Sequence, residues 1–195
     1  ELAMSGEYFE LLGWLKDQGK QVFADLKFYD VPATVSAAVR QLQRWGPSFL
    51  TIHGDRAIIE AAAAEKGPDL RLLAVTVLTS LDQDDLTQMG INVDVKTLVL
   101  KRAEQAHAAG CDGVIASGLE ASALREALGR DMLIVSPGIR PAEGGSADDQ
   151  KRIVTPAQAF MNGADYIVVG RPIRNAASPR QAAESIQAEI ANTVR

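Results

Sequence analysis

One cysteine, no long apolar run and no excess of positive charge are the first features of this 195-residue sequence. A lone Cys111 excludes an intrachain disulfide framework and any multi-cysteine metal site, and it fits a reducing compartment. No apolar stretch approaches the roughly 18 residues of a membrane span. The opening residues Glu1 to Glu7 lack the basic and apolar regions of a secretory signal, and low-complexity tracts and long linkers are also missing. Twenty Lys+Arg against 25 Asp+Glu leave a formal charge of −5. With no basic blocks, such a chain is a poor general nucleic-acid binder. What is present is 47% hydrophobic and 23% charged composition, which suits a single domain over 1–195 with a real core. The class left standing is a soluble, cytoplasmic globular enzyme or binding domain.

Short β-branched runs alternate with Ala-rich helical stretches. Strands are expected at 21–28, 49–53, 72–78, 113–116, 133–135 and 166–169. Helices are expected at 7–20, 34–45, 57–66, 95–109, 121–128, 156–161 and 179–194. The strands are almost continuously apolar, as when both faces of a parallel sheet are covered. Three joints look like copies of one unit: Gly46-Pro47-Ser48-Phe49, Gly110-Cys111-Asp112-Gly113 and Gly163-Ala164-Asp165-Tyr166. In each a glycine, suited to the left-handed close of a helix, leads through two residues into a strand. Thr155-Pro156-Ala157-Gln158 and Ser178-Pro179-Arg180-Gln181 read as capping boxes with proline at the first helical position.

Repeated βα units mean an open doubly wound sheet or a (β/α)8 barrel. The G-x-G-x-x-G fingerprint of a dinucleotide-binding sheet is absent. Asp25, Lys27, His53, Thr79, Arg140 and Arg171 all fall at strand C-terminal ends, where a barrel builds its active site. A barrel needs eight strands and about 250 residues. Six strands with a helix first therefore look like a TIM barrel lacking its opening strand–helix–strand.

The densest chemistry lies in Asp25-Leu26-Lys27-Phe28-Tyr29-Asp30-Val31-Pro32. Alternation along a strand puts Asp25 and Lys27 on one face, about 7 Å apart at Cα. Inside a barrel both enter a low-dielectric interior, which is costly unless they pair or meet a charged ligand. The plainer reading is a structural ion pair. Ser136-Pro137-Gly138-Ile139-Arg140-Pro141 precedes a polar segment, 142–149, that is either a loop ordering over a ligand or a solvated surface loop. In Val169-Gly170-Arg171-Pro172, Gly170 admits an oxyanion to backbone N–H groups and Arg171 can clamp it. Barrels often bind phosphate after their last two strands, so Arg140 and Arg171 support a phosphate site better together than apart. Thr79-Ser80 could bond a polar ring or merely cap a loop. His53 reads as structural before catalytic, His107 and Cys111 as structural, and Trp14 and Trp45 as core or interface.

The run Asp25 to Thr34 resembles orotidine 5'-phosphate decarboxylase. The resemblance continues, in the family's order, through Val77-Leu78-Thr79-Ser80, Pro137-Gly138-Ile139-Arg140-Pro141, Asp149-Gln150-Lys151-Arg152-Ile153 and Val169-Gly170-Arg171-Pro172-Ile173. It covers essentially the whole chain. The D-x-K-x-x-D motif is shared with related sugar-phosphate enzymes, whereas P-G-I-R together with G-R-P is more specific. The resemblance implies a (β/α)8 barrel that converts orotidine 5'-monophosphate to uridine 5'-monophosphate and CO2, the last step of de novo pyrimidine synthesis, with no metal and no organic cofactor. It implies that Lys27 protonates C6 of the pyrimidine. Asp25 would sit by the departing carboxylate and keep Lys27 charged. Asp30, counted with Lys27 and Asp25 among the catalytic residues, and Thr34 would reach the ribose hydroxyls of a partner's site in a homodimer. Thr79 would contact the pyrimidine. Pro137 lies in the substrate-binding P-G-I-R element, and Arg140, Gln150, Gly170 and Arg171 would hold the phosphate.

One departure stands out. The family carries a further Asp and a further Lys at its first two strand ends, and nothing before Glu1 supplies them; the expectation is that an N-terminal piece is absent. Two rivals remain. A 3-hexulose-6-phosphate synthase-like aldolase shares D-x-K-x-x-D but uses magnesium, and Pro137–Arg140 with the long loop argue against it. A non-catalytic nucleotide-binding homologue would bind uridine 5'-monophosphate without turning over orotidylate.

Overall fold

The computed structural model describes residues 6–141 and 150–193. The segment 142–149, considered above as a loop that orders over a ligand, lies outside them. The chain runs α1 (Tyr8–Asp17), β1 (Phe23–Phe28), α2 (Pro32–Leu42), a 3-10 turn (Gln43–Trp45), β2 (Phe49–His53), α3 (Arg56–Glu65) and β3 (Arg71–Val75). It continues through α4 (Gln83–Gln88), α5 (Val95–Ala108), β4 (Gly113–Ile115), α6 (Ala121–Leu128) and β5 (Leu133–Ser136). It ends with α7 (Pro156–Met161), β6 (Tyr166–Ile167), α8 (Arg171–Arg174) and α9 (Pro179–Thr193). All six expected strands form, a helix precedes the first, and hydrogen bonding follows chain order from β1 to β6. No helix among the described residues is long and apolar enough to cross a membrane.

Two compact units are distinguishable. The first takes the chain up to Val75 together with Gln105–Val114, and the second takes Thr76–Glu104 and the chain from Ile115 onward. In the first, β2 pairs in parallel with β1 and, in unbroken register from Phe49↔Arg71 to His53↔Val75, with β3. Asp112 N–H donates to Leu72 O at 3.0 Å and leads β4 in beside β3. Leu50, Ile52, Leu72 and, from α3, Ile59 are fully buried. Each such side chain contributes about 1.5–3 kcal/mol by leaving water. That burial explains why these strands read as apolar runs rather than alternating ones.

In the second unit, Thr76 N–H donates to Ile115 O, and Ala116 N–H donates to Val135 O, both at 3.2 Å. β5 and β6 pair in parallel, Val135 opposite Tyr166 and Ser136 opposite Ile167. Beyond β5 a single parallel bridge joins Ile139 to Val154. Leu86, Leu124, Met132, Ile134 and Ile139 form the buried centre.

The repeated joint is chemically real. Gly46, Gly110 and Gly163 have φ of 66°, 91° and 102°, the left-handed region that side chains rarely adopt. In the second and third copies the aspartate two residues on does the same work twice. Asp112 Oδ2 accepts Leu72 N–H at 2.7 Å and the carboxylate pairs with Lys66; Asp165 Oδ2 accepts Ile134 N–H at 2.8 Å and pairs with Arg125. The first copy has Ser48, whose backbone alone makes the link, N–H to Val22 O and O from Arg71 N–H.

Four local expectations change. β3 ends at Val75 rather than at residue 78, because the Val77 and Leu78 carbonyls accept from the Arg152 guanidinium instead of from a neighbouring strand. Helix α4 was not anticipated; its capping box is Asp82 with Asp85, outside the Ser/Thr-to-Glu/Gln pattern. Thr155 caps α7 by accepting Gln158 N–H, but the Gln158 amide turns to Asn162, so only half of that box forms. Trp14 and Trp45 are exposed, which removes the core half of the core-or-interface reading, with Trp45 against Phe9 at 5.2 Å between ring centroids.

Candidate active site

The first unit carries the acid–base cluster. On β1, Ala24 pairs with Leu50 and Phe28 with Ile52, so four steps along β1 match two along β2. The surplus is a bulge, uncommon between parallel strands and frequent beside active sites. Within it Lys27 takes φ of 47°, the one positive-φ residue other than glycine among the described residues. A left-handed non-glycine costs of order 1–3 kcal/mol and persists only where its surroundings impose it. Thr51 imposes it here. Its hydroxyl, 1% exposed with its residue, donates to Asp25 Oδ1 at 2.8 Å and accepts Lys27 N–H at 2.9 Å. Lys27 Nζ then donates to Asp25 Oδ2 at 2.6 Å. The two side chains therefore meet, as expected, through the bulge rather than through simple alternation. They are also less buried than expected: 39% of Lys27 and 42% of Asp25 side-chain surface is exposed, so water still screens the pair.

Around this pair, the Tyr8 hydroxyl is pushed above its usual pKa by burial and then by the Asp25 charge. The rings of Tyr29 and His53 lie 4.8 Å apart. Asp30 accepts Val31 N–H at 2.7 Å, and Thr34 N–H donates to Val31 O at 3.0 Å, which opens α2 behind Pro32. Asp30 and Thr34 are exposed, and so are Tyr29 and Val31 at 69% and 63%.

The second unit carries the anion-binding candidates. Thr79, just past β3, donates its hydroxyl to Gln150 Oε1, so the structure brings those two expected residues together. Thr79 O in turn accepts Lys151 N–H at 3.1 Å and Arg152 N–H at 3.2 Å. Gly138, in the Pro137–Arg140 element, has φ of 73°, and a Cβ there would fall 2.6 Å from Arg152 O. Only glycine fits that approach. Arg140 continues the turn, its N–H on Val154 O at 2.9 Å and Nη1 on Ile139 O at 2.7 Å. Gly170 precedes α8 and Arg171 opens it; a Cβ on Gly170 would meet nothing within 4 Å, so no protein atom demands glycine there.

Beneath Gln150 lies a group that sequence reasoning missed. Arg152, 7% exposed, pairs Nη1 with Glu120 Oε1 at 2.8 Å and gives Nη2 to the carbonyls of Val77 and Leu78 at 2.8 and 3.1 Å. Lys151, beside it, bridges Asp82 and Asp85, each at 2.8 Å. Its ammonium holds the Asp82 carboxyl down at about 2, and the two carboxylates raise the lysine. Cys111 is buried, which pushes its thiol up to about 12. A cavity of about 620 Å³ beside α6 and α7 is lined by none of the candidate residues. Among the described residues no three His, Cys, Asp or Glu side chains gather as a metal site.

Residues 2–186 match the family model described as Orotidine 5'-phosphate decarboxylase / HUMPS family. The chain belongs to this family. An orotidine 5'-phosphate decarboxylase of Methylococcus capsulatus is 60% identical over 190 residues, 97% of this chain and 78% of the relative. One of Stenotrophomonas maltophilia is 55% identical over 195 residues, 100% of this chain and 80% of the relative. Among solved structures, orotidine 5'-phosphate decarboxylase from Lactobacillus acidophilus superposes with a TM-score of 0.79 at 36% identity, covering 93% of this chain and 80% of that one. The Pyrococcus horikoshii enzyme gives 0.73 at 27% identity, covering 95% and 81%. The fold class expected from the strand count stands: the parallel βα succession is that of the family's barrel, with six of its strands among the described residues.

Proposed function

We propose that this chain, in its full-length protein, decarboxylates orotidine 5'-monophosphate to uridine 5'-monophosphate and CO2 in pyrimidine synthesis. Relatives at 55–60% identity that bear the decarboxylase name supply the substrate. The observation that carries the chemistry is the Lys27–Asp25 contact of 2.6 Å, built on a strained lysine and a buried threonine.

Breaking the C6–carboxylate bond leaves its electron pair on a ring carbon as CO2 departs. Without an electron sink, that charge needs a fixed cation and then a proton, and one ammonium supplies both. Lys27 Nζ gives its proton to C6, becomes neutral, and regains a proton from water after product leaves. Asp25 holds the Lys27 ammonium in place at 2.6 Å and repels the substrate carboxylate, a strain relieved on CO2 loss. Asp30 is assigned to the ribose hydroxyls with Thr34, and Thr79 to the pyrimidine edge. Arg140, Gln150, Gly170 and Arg171 take the phosphate, with Pro137 shaping the turn before Arg140. Binding energy gathered at a phosphate remote from the reacting bond orients the ring and is realised in kcat.

Asp30 and Thr34 act across a homodimer in this reading. Exposed Tyr29 and Val31 on either side of Asp30 support such an interface; a full-length protein that sediments as a monomer at assay concentration contradicts it. The compartment proposed is the cytoplasm, because a phosphorylated nucleotide does not cross membranes unaided. The family model's description also names HUMPS, and the rival aldolase reading requires magnesium, so the deciding experiment follows loss of orotidylate absorbance by the full-length protein in excess chelator. Turnover to uridine 5'-monophosphate is expected. Activity only as a magnesium-dependent aldolase, or nucleotide binding with no turnover, would contradict the reading.

A further inference from the structure

We infer that Arg152 is a positioning residue that sets the Thr79–Gln150 pair, and through it substrate binding; this rests on the functional reading above. Arg152 crosses twice to the segment that follows β3. Its backbone N–H reaches Thr79 O, and its guanidinium reaches the carbonyls of Val77 and Leu78 immediately before. It thereby bonds three successive carbonyls of the chain that presents the Thr79 hydroxyl, and it lies two residues from Gln150. Its own carbonyl is the atom that a side chain at residue 138 would strike, so it also sets the floor of the Pro137–Arg140 turn. Ser117 and Glu120 secure it from the β4 side.

A purely stabilising role accounts poorly for this arrangement. Glu120 and Arg152 are 5% and 7% exposed, and burying two charges consumes most of what their attraction returns. The pair touches through one oxygen only; Glu120 Oε2 and Arg152 Nε have no partner among the described residues. The second arm of the guanidinium is spent on two carbonyls that a longer β3 would have used in its ladder. A planar, forked donor can serve a carboxylate and two carbonyls at once, which the single ammonium of lysine cannot.

The test is a double-mutant cycle in the full-length protein, with kcat/KM toward orotidine 5'-monophosphate measured well below each variant's Tm. Gln150→Ala should lower kcat/KM roughly ten- to a hundred-fold, as expected for losing a hydrogen bond to a charged group. Arg152→Lys keeps a charge opposite Glu120 but loses the fork. It should lower kcat/KM about five-fold or more, mainly through KM. The double variant should match Gln150→Ala within about two-fold, because both changes remove one interaction. Losses that multiply, or an Arg152→Lys protein with a lowered Tm and unchanged kcat/KM, would overturn the inference. If Arg152→Lys does not fold, Glu120→Gln replaces it in the same cycle, with a smaller loss and the same non-additivity expected. A wild type that binds uridine 5'-monophosphate without turnover would sink the functional reading, and the cycle would then be read in Kd for that nucleotide. A wild type with neither property overturns both.

Discussion

At the residue scale, the proposed chemistry centres on the Asp25–Thr51–Lys27 triangle. Thr51→Val keeps the shape and removes a hydroxyl that bonds Asp25 and Lys27 N–H at once. The left-handed Lys27 then loses the partner that holds it, and its N–H loses an acceptor. We expect a loss of roughly 1–3 kcal/mol in urea unfolding. Misplacing a catalytic group should also lower kcat about ten- to a hundred-fold, with KM little changed. Normal kcat in that variant would contradict the positioning of Lys27 by Thr51. Asp25 and Lys27 were legible because a strand ending in D-x-K concentrates charge where apolar residues are expected. Thr51 was not: it is one threonine in an apolar run, and its meaning depends on which strand lies beside it. Arg152 was hidden likewise, since K-R in a polar stretch reads as solvated until its partners 32 and 75 positions away are known.

At the element scale, strands and joints were the legible part. Continuous apolar runs mark covered strands, and the G-x-D joint announces itself twice through the backbone N–H its aspartate must accept. Short polar helices were not legible. Helix α4 has one buried apolar residue, Leu86, and owes its start to aspartates instead. Those aspartates bear a pH signature. Asp82 has an ordinary pKa of 3.8 and a folded value of about 2, so its pairing stabilises the fold above about pH 4 and is lost as pH falls toward 2. Lys151, raised above its ordinary 10.5, contributes below that value and loses its contribution as pH climbs past it. Lys151→Met should therefore be less stable than wild type by a constant margin near neutrality. That margin should close between about pH 4 and pH 2 in acid unfolding followed by circular dichroism. A margin unchanged at pH 2 would show that the bridge is not its source.

At the scale of the whole molecule, global charge is a weak guide. A chain of −5 is proposed to take an anionic substrate, and Arg140, Arg171 and Lys27, the residues assigned to it, are three cations among 20. The family resemblance was legible in motifs spread along the chain, whereas the bulge and the Arg152 anchor came from packing. Lys27 on its bulge is proposed to deliver the proton as CO2 leaves. The most direct measurement of that step sets orotidylate turnover of the full-length protein beside that of Lys27→Ala, with uridine 5'-monophosphate affinity measured for both. Turnover is expected in the wild type, none detectable in the variant, and nucleotide affinity within about ten-fold, since the residues assigned to the phosphate are unchanged. A Lys27→Ala protein that still converts orotidylate at a comparable rate would contradict that role.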